Sequence, residues 1–273
     1  MQFNLNGLRI GPTYPLTLIG GPCQAESLEL CLAVGEPLRD TCAGLGINYV
    51  FKASFDKANR SSIHTPRGPG LRDGLAMLSE VRATLGVPIT TDIHAPEQAA
   101  PAAEAGVDLL QIPAFLARQT DLLVAAARTG VPVNVKKGQF MAPAEMKNVL
   151  AKLDEAQASG VMLTERGTFF GYHRLVNDFV GMQELMNLGP PVCFDATHSV
   201  QHPGGGGDRT AGDRDAAPGL AQAAAALGVH ALFIETHPDP ARAASDASVM
   251  MRLEETLALL PRLVAISNFV RGF

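Results

Sequence analysis

A cluster of cationic and hydroxyl side chains lies in one short stretch of the chain, residues 51–62. It contains Lys52, Lys57 and Arg60, interleaved with serine and asparagine side chains. Charge-assisted hydrogen bonds from such donors are about twice as strong as neutral ones, which suits phosphate and carboxylate ligands. A solvated basic loop is the alternative interpretation. The interleaved hydroxyl and amide groups, in a chain of net charge −5, favour an anion-binding site.

A second set of residues has the side-chain types of a metal site: Cys23, His198, Glu235 and Asp246. A thiolate, an imidazole and carboxylates suit a divalent transition metal, Zn2+, Fe2+ or Mn2+, better than Ca2+ or Mg2+. No short-range spacing links the four residues, so a structural role is the better explanation of each one alone. Whether they form a site depends on the fold that positions them.

Composition disfavours several classes of protein. The 273 residues are 47% hydrophobic and carry more acidic than basic side chains, which disfavours a nucleic-acid or anionic-membrane partner. No run approaches the roughly 18 apolar residues of a membrane span. The four cysteines show no paired spacing of the kind found in metal or redox motifs. We therefore expect a soluble, cytoplasmic protein with reduced cysteines.

The order of predicted elements indicates a barrel. Short β-rich runs alternate with helical stretches, and eight such runs follow a predicted hairpin in residues 3–15. Eight β/α units predict a (β/α)8 TIM barrel, one domain over residues 1–273 with an N-terminal hairpin at 1–15; a doubly wound sheet is the alternative. The predicted strands are 17–19, 48–51, 88–91, 109–113, 132–136, 161–164, 191–195 and 231–235.

In such a barrel, the side chains at the carboxyl ends of the strands meet at one mouth. Cys23, His198 and Glu235 follow the first, seventh and eighth strands, which become neighbours when the barrel closes. The anion-binding stretch follows the second strand. We therefore expect both sets of residues at one site. Further polar residues at or after strand ends are Asp92, His94, Gln111, Lys136, Lys137, Glu165, Arg166, Asp195 and His237.

Three segments depart from the regular pattern. Pro37 lies inside the first helical stretch and predicts a kink or a break there. Residues 198–219 are rich in glycine and charge and exceed an ordinary barrel loop, which is typical of a lid or of disorder. Residues 237–248 form a second long connection. Either connection could close over a substrate.

Several segments together resemble one family, the 3-deoxy-D-manno-octulosonate 8-phosphate synthases. The resemblance extends over nearly the whole chain. It implies the condensation of phosphoenolpyruvate with arabinose 5-phosphate, on the route to the inner sugar of bacterial lipopolysaccharide. The segments that carry it are 51–64, 67–71, 113–121, 134–140, 194–201 and 233–240.

The resemblance also implies a metal. The family divides into a metal-dependent and a metal-independent class, and the dependent class has cysteine where the other has asparagine. Here that position is Cys23, within the sequence Gly21-Pro22-Cys23, and residues 164–167 and 245–248 are also similar to the metal-dependent class. By resemblance, the ligands of a Zn2+, Fe2+ or Mn2+ ion are Cys23, His198, Glu235 and Asp246.

Substrate contacts follow from the same resemblance. Family members are homotetramers in which residues 115–118 reach a neighbour's site, so we expect Phe115 there and Arg118 on the sugar phosphate. The expected catalytic residues are Lys52, Asp92 and His198. Phosphoenolpyruvate is expected to bind Lys52, Ser54, Lys57, Gln111, Lys136 and Arg166, and arabinose 5-phosphate is expected to bind Asn59, Arg60 and Ser61, with Asp92 near its hydroxyls.

Three other functions stay open at this point. A 3-deoxy-D-arabino-heptulosonate 7-phosphate synthase would use erythrose 4-phosphate, although we expect Lys-Pro-Arg-Thr there in place of residues 57–62. A metal-dependent hydrolase on the same barrel would release phosphate from phosphoenolpyruvate alone. A sugar-phosphate binder would be stabilised by its ligands without turnover.

Overall fold

The computed structural model describes residues 1–60, 63–206 and 209–273. The strands in these ranges are β1 Phe3–Leu5, β2 Leu8–Ile10, β3 Thr17–Gly21, β4 Asn48–Lys52, β5 Ile89–Asp92, β6 Leu109–Ile112, β7 Val133–Lys136, β8 Val161–Glu165, β9 Val192–Asp195, β10 Gln201–Gly206, β11 Arg209–Gly212, β12 Ala231–His237 and β13 Met251–Arg252. The α-helices are α1 Leu28–Leu45, α2 Leu71–Leu85, α3 Ala99–Glu104, α4 Thr120–Arg128, α5 Met146–Glu155, α6 Phe179–Asn187, α7 Ala217–Leu227 and α8 Leu253–Arg271.

Eight parallel strands close into a barrel, which confirms the predicted fold. Strands β3 to β9 pair in chain order, and β12 pairs with both β9 and β3. Each predicted barrel strand is present, with ends that move by one or two residues. The outward side chains of the strands and the inward faces of the helices share one apolar core, as in other barrels of this kind.

The hairpin β1–β2 closes the amino-terminal end of the barrel. Phe3 pairs with Ile10 across it. The side chains of Phe3, Leu5 and Ile10 join the cluster that fills the barrel interior, which includes Val50 and Phe233. The fit is tight, since a Cβ atom added at Gly160 would lie 2.6 Å from the Phe3 Cβ. The predicted N-terminal hairpin is therefore present and acts as a plug.

Two local expectations need correction. Helix α1 runs without a break through Pro37, so the break is wrong: burial of Val34, Leu38 and Cys42 against the barrel outweighs the one lost backbone hydrogen bond. The described residues of the segment 198–219 include regular structure where a long loop was expected, and its role as a lid stays a prediction. It contains the antiparallel pair β10–β11 followed by the start of α7.

Within the described part of the chain, every helix is too short or too polar to cross a bilayer.

Replacing the plug residue Phe3 with alanine is expected to destabilise the fold. The Phe3 ring is 7% exposed, and removing a buried aromatic ring costs about 3–5 kcal/mol in free energy of unfolding. Urea denaturation followed by circular dichroism measures this change. The matched control is Phe269→Ala, because Phe269 is 89% exposed and its loss should cost less than about 0.5 kcal/mol. Equal urea midpoints for both variants would contradict the role of the hairpin as a plug of the barrel.

Candidate active site

A cavity of about 970 Å³ opens at the carboxyl ends of the barrel strands. Members of both predicted sets line it, and Cys23, which is not among the described lining residues, lies beside Glu235 and Asp246, so the expectation of one shared mouth agrees with the geometry. From β4 and the loop after it come Lys52, Ser54, Lys57, Asn59 and Arg60; from the ends of other strands and the loops that follow them come Asp92, Gln111, Phe115, Lys136, Arg166, His198, Glu235 and Asp246.

Three of the four candidate metal ligands form one group. A sulfur atom of Cys23 and carboxylate oxygens of Glu235 and Asp246 all lie within 4.8 Å of one another. Cys23 follows β3 through Gly21, where a Cβ atom would lie 2.1 Å from the Lys52 carbonyl oxygen. Only glycine permits this close approach, which brings the cysteine backbone against β4.

His198 approaches the group from the side of β9, although it is not one of the three members of the group. Its Nε2 atom lies 3.6 Å from Glu235 Oε2. Its Nδ1 atom lies 2.8 Å from Asp195 Oδ2, and because a carboxylate only accepts, Nδ1 carries the proton. Nε2 is then the ring nitrogen left for a ligand bond. A carboxylate behind a histidine in this way fixes the ring of many metal ligands.

The donor set fits a divalent transition metal. Glu235 Oε2 is buried and has no hydrogen-bond partner among the described residues, although such atoms are normally satisfied. It faces His198 Nε2 and belongs to the same carboxylate that groups with Cys23 and Asp246. Sulfur, imidazole and carboxylate donors are the combination that the sequence suggested for Zn2+, Fe2+ or Mn2+.

Burial and charge act in opposite directions on the acidic members of the group. Burial, reinforced by Glu235, raises the pKa of the Cys23 thiol well above its usual value, so a thiolate there needs a cation. Burial also acts to raise the pKa of Glu235, but the charges of Lys52 and His198 outweigh it and lower that pKa to about 2. Glu235 is therefore an anion, held in place before any metal binds.

Asp246 reaches the group from a strained backbone. Its φ angle is 52°, in the left-handed region that few residues other than glycine adopt. Its Oδ2 atom accepts from Cys23 Sγ at 3.0 Å and from Ser245 Oγ at 2.9 Å. Such strain persists where the surroundings fix the conformation, often at functional sites.

Two buried lysines pair with carboxylates of the site, Lys52 with Glu235 and Lys136 with Asp195. Lys52 is 2% exposed, donates to the Cys23 carbonyl oxygen at 3.1 Å and pairs with Glu235 Oε1. Lys136 Nζ lies 2.6 Å from Asp195 Oδ2 and 3.7 Å from the centre of the Phe233 ring. An ammonium group has three donors, so each lysine retains at least one for a ligand.

The loop after β4 is tied to β5 through hydroxyl and carboxylate groups. Lys57 Nζ donates to Ser54 Oγ at 3.1 Å, and Ser54 Oγ donates to Asp92 Oδ1. Asp92 Oδ2 lies 2.9 Å from His94 Nε2. Arg60 donates to Gln24 Oε1 at 3.0 Å. The predicted Ser61 contact lies outside the described residues.

Several buried polar atoms of the described residues that line the cavity lack a protein partner, among them one donor and one acceptor outside the candidate metal group. Arg166 Nη1 and Gln111 Oε1 are buried, and neither has a hydrogen-bond partner in the part of the chain that the structure describes. Both residues line the cavity. Because an unpaired buried donor or acceptor is costly, these atoms mark where a ligand would be held.

The two residues predicted to reach a neighbouring subunit, Phe115 and Arg118, lie in different surroundings. Phe115 is 54% exposed and lines the cavity. Arg118 is exposed and is not among the described residues that line the cavity. Its backbone carbonyl accepts from Lys152 Nζ at 3.0 Å. A role for Arg118 at a neighbour's site stays a prediction.

Sequence reasoning gave no role to Asp195, Gln24, Gln201 or Arg214. The one sequence signal for Asp195 was its predicted position at the end of a barrel strand. This aspartate is fully buried, and although burial raises its pKa, the charges of His198 and Lys136 outweigh this and hold the pKa far below the usual value. Asp195 therefore joins Lys136, a predicted substrate-binding residue, to His198, a candidate metal ligand.

A family model described as the DAHP synthetase I family matches residues 2–267. The chain belongs to the DAHP synthetase I family. It is similar to proteins named 2-dehydro-3-deoxyphosphooctonate aldolase. The protein from Methylobacterium radiotolerans is 54% identical over 259 residues, 94% of this chain and 91% of that protein. Those from a Cyanothece species and Marinobacter nauticus are 53% and 47% identical, covering 95% and 100% of this chain and 94% and 96% of their own lengths.

Replacing Asp195 with asparagine should weaken binding of a divalent ion. The amide lacks the negative charge that orients His198 and pairs with Lys136, and loss of such a partner typically costs about 10- to 100-fold in metal affinity. Competition with a chromogenic chelator for Zn2+ measures the change. Asp73→Asn is the control, because Asp73 is exposed and pairs with Arg72 in α2. If the two variants bind Zn2+ equally, Asp195 does not position the ligand.

Proposed function

We propose that this chain condenses phosphoenolpyruvate with D-arabinose 5-phosphate and water, giving 3-deoxy-D-manno-octulosonate 8-phosphate and phosphate. The observation that supports the proposal is that buried cationic donors line one cavity together with an imidazole and two carboxylates, and that the Cys23 thiol lies within 4.8 Å of those carboxylates. The relatives support the same reaction, because proteins about half identical over nearly the full chain are named 2-dehydro-3-deoxyphosphooctonate aldolase.

The donors fit the charges of the two substrates. Phosphoenolpyruvate carries a phosphate and a carboxylate, and the sugar carries a second phosphate. Repulsion among these groups opposes their approach in a site from which water is largely excluded. The free donor of Arg166, together with the spare donors of Lys136 and Lys57, would neutralise phosphoenolpyruvate. Preorganised donors of this kind also stabilise charge that develops during reaction.

The sugar phosphate would lie on the other side of the same loop. Asn59 and Arg60 line the cavity at its outer edge, with Ser61 next in the chain. Asp92 is buried between Ser54 and His94 and would accept from a sugar hydroxyl. Phe115 and Arg118 would contact the sugar phosphate of a neighbouring site in a homotetramer.

The reaction joins two carbons and releases phosphate. The methylene carbon of phosphoenolpyruvate attacks the sugar aldehyde, and water adds at the adjacent carbon. The bond between that carbon and the phosphate oxygen then breaks. Lys52, which is held beside Glu235 with a spare donor, would bind the phosphoenolpyruvate carboxylate next to the reacting carbons. The two substrates must therefore share one face of the barrel mouth.

A divalent ion would be held by Cys23, His198, Glu235 and Asp246. When bound, it would supply Lewis-acid polarisation of the aldehyde or orientation of the water. Asp195 keeps the His198 Nδ1 proton in place and so presents Nε2. Lys52 keeps the Glu235 carboxylate ionised and directed toward the group.

The setting of the reaction is part of the proposal. The product is a precursor of the inner sugar of lipopolysaccharide, and both substrates are phosphorylated metabolites, which fits a cytoplasmic enzyme. We also propose that residues 1–273 act as one domain, because the N-terminal hairpin completes the interior of the barrel.

Phosphate release measured with and without metal tests the reaction, the sugar and the cofactor together. We expect turnover with phosphoenolpyruvate and arabinose 5-phosphate after Zn2+ or Mn2+ is returned to chelator-treated protein, and none with the metal-free protein. With erythrose 4-phosphate, kcat/KM should be lower by at least about 100-fold, since this sugar is one carbon shorter and cannot place its phosphate and its aldehyde at both of their binding positions at once.

Each other outcome would favour a different function. Faster turnover of erythrose 4-phosphate would indicate the heptulosonate reaction. Phosphate release from phosphoenolpyruvate alone would indicate a hydrolase. Ligand-induced stabilisation with no turnover under any metal would indicate a binding protein, and full activity in verified metal-free protein would remove the metal from the mechanism.

A further inference from the structure

Gln201 lies between the anion-binding arginine and a candidate metal ligand. Its Oε1 atom accepts from Arg166 Nη2, and its Nε2 atom donates to Asp246 Oδ1 at 3.2 Å. The two neighbours fix the orientation of the amide, because a guanidinium group only donates and a carboxylate only accepts. A neutral amide is suited to both contacts at once. A carboxylate here would face Asp246 with like charge.

The backbone of Gln201 is fixed where β10 begins. Its carbonyl oxygen accepts from Leu175 N at 3.2 Å, and the residue pairs with Gly212 across the hairpin. A Cβ atom added at Gly212 would lie 2.1 Å from Val249 Cγ1. The hairpin therefore packs closely against the segment that carries Asp246, so the amide is held from both sides.

Each neighbour of Gln201 keeps atoms for a ligand. Arg166 Nη1 is buried and has no protein partner among the described residues. On the other side, an oxygen of Asp246 belongs to the group with Cys23 and Glu235. Gln201 thus occupies one nitrogen of the arginine and one oxygen of the aspartate, while the ligand-facing atoms stay available.

We propose that Gln201 is a positioning residue that couples anion binding at Arg166 to cation binding at Asp246. An ion on Asp246 fixes the carboxylate, which fixes the amide, which in turn orients the guanidinium toward the anion. Hydrogen bonds in such a chain also polarise one another. Thermodynamic linkage makes the effect reciprocal, so a bound anion raises the affinity for the metal ion by the same factor. The inference rests on the proposed function, which places both ligands in this cavity.

Titration calorimetry measures the coupling directly. The affinity for phosphoenolpyruvate is measured with metal-free and Zn2+-loaded protein, and the ratio of the two dissociation constants is the coupling factor. Zn2+ affinity with and without phosphoenolpyruvate, measured by chelator competition, must give the same ratio. In the unmodified protein we expect a ratio above about 5, within the usual range for coupled sites.

Two substitutions at Gln201 should reduce this ratio toward one. Gln201→Met keeps the approximate volume and removes both hydrogen bonds. Gln201→Glu keeps the acceptor for Arg166 but removes the donor to Asp246, and it covers the case in which the first variant fails to fold. The matched controls are Gln222→Met and Gln222→Glu in α7, where the amide donates to Pro218 O; these should keep the ratio of the unmodified protein.

The ratio separates positioning from a structural role. If Gln201 had only a structural role, its substitution would weaken the binding of phosphoenolpyruvate and of Zn2+ without changing the coupling factor. That result would overturn the proposal. A ratio of one in the unmodified protein would also overturn it. If phosphoenolpyruvate does not bind at all, the proposed function fails on its own, and the same ratio measured with inorganic phosphate still decides the role of Gln201.

Discussion

The site depends on the pairing of charges that are buried together. Removing an ion from water costs several kcal/mol unless a partner compensates it. Asp195 and Glu235 are both fully buried, and the lysines nearest to them, Lys136 and Lys52, are buried as well. Lys136 compensates Asp195, which also accepts a hydrogen bond from His198 Nδ1, and Lys52 compensates Glu235. Because each of these two carboxylates is held by a lysine, their positions are fixed before a substrate or metal arrives.

The barrel makes this pairing possible because its strands end at one mouth. Glu235, Lys52 and Lys136 stand at the ends of three different strands, and no local sequence motif could have brought them together. The interior below them is filled by apolar side chains and closed by the β1–β2 hairpin. The charges therefore have no route to water except through the cavity. That isolation strengthens their mutual attraction and their attraction for anionic ligands.

The barrel and many of its mouth residues could be predicted from the sequence, for a physical reason. Polar residues that directly follow buried parallel strands must point into the mouth, so Lys52, Lys136 and Glu235 could be placed from strand positions alone. The role of Asp195 was not visible, because Lys136 lies 59 residues away and their contact follows from barrel closure. The glycine-rich segment 198–219 was taken for a loop because composition does not reveal strand pairing. Its β10–β11 hairpin forms where Gly212 allows close packing against Val249.

The proposed metal group, with Cys23 as its thiolate ligand, stands among these paired charges. Cobalt substitution tests it most directly, since a thiolate bonded to Co2+ gives an intense charge-transfer absorption in the near ultraviolet. We expect this band in the unmodified protein and in Cys42→Ser, whose sulfur lies in α1, and its loss in Cys23→Ser. Absence of the band in the unmodified protein, or its survival in Cys23→Ser, would contradict the ligand role of Cys23.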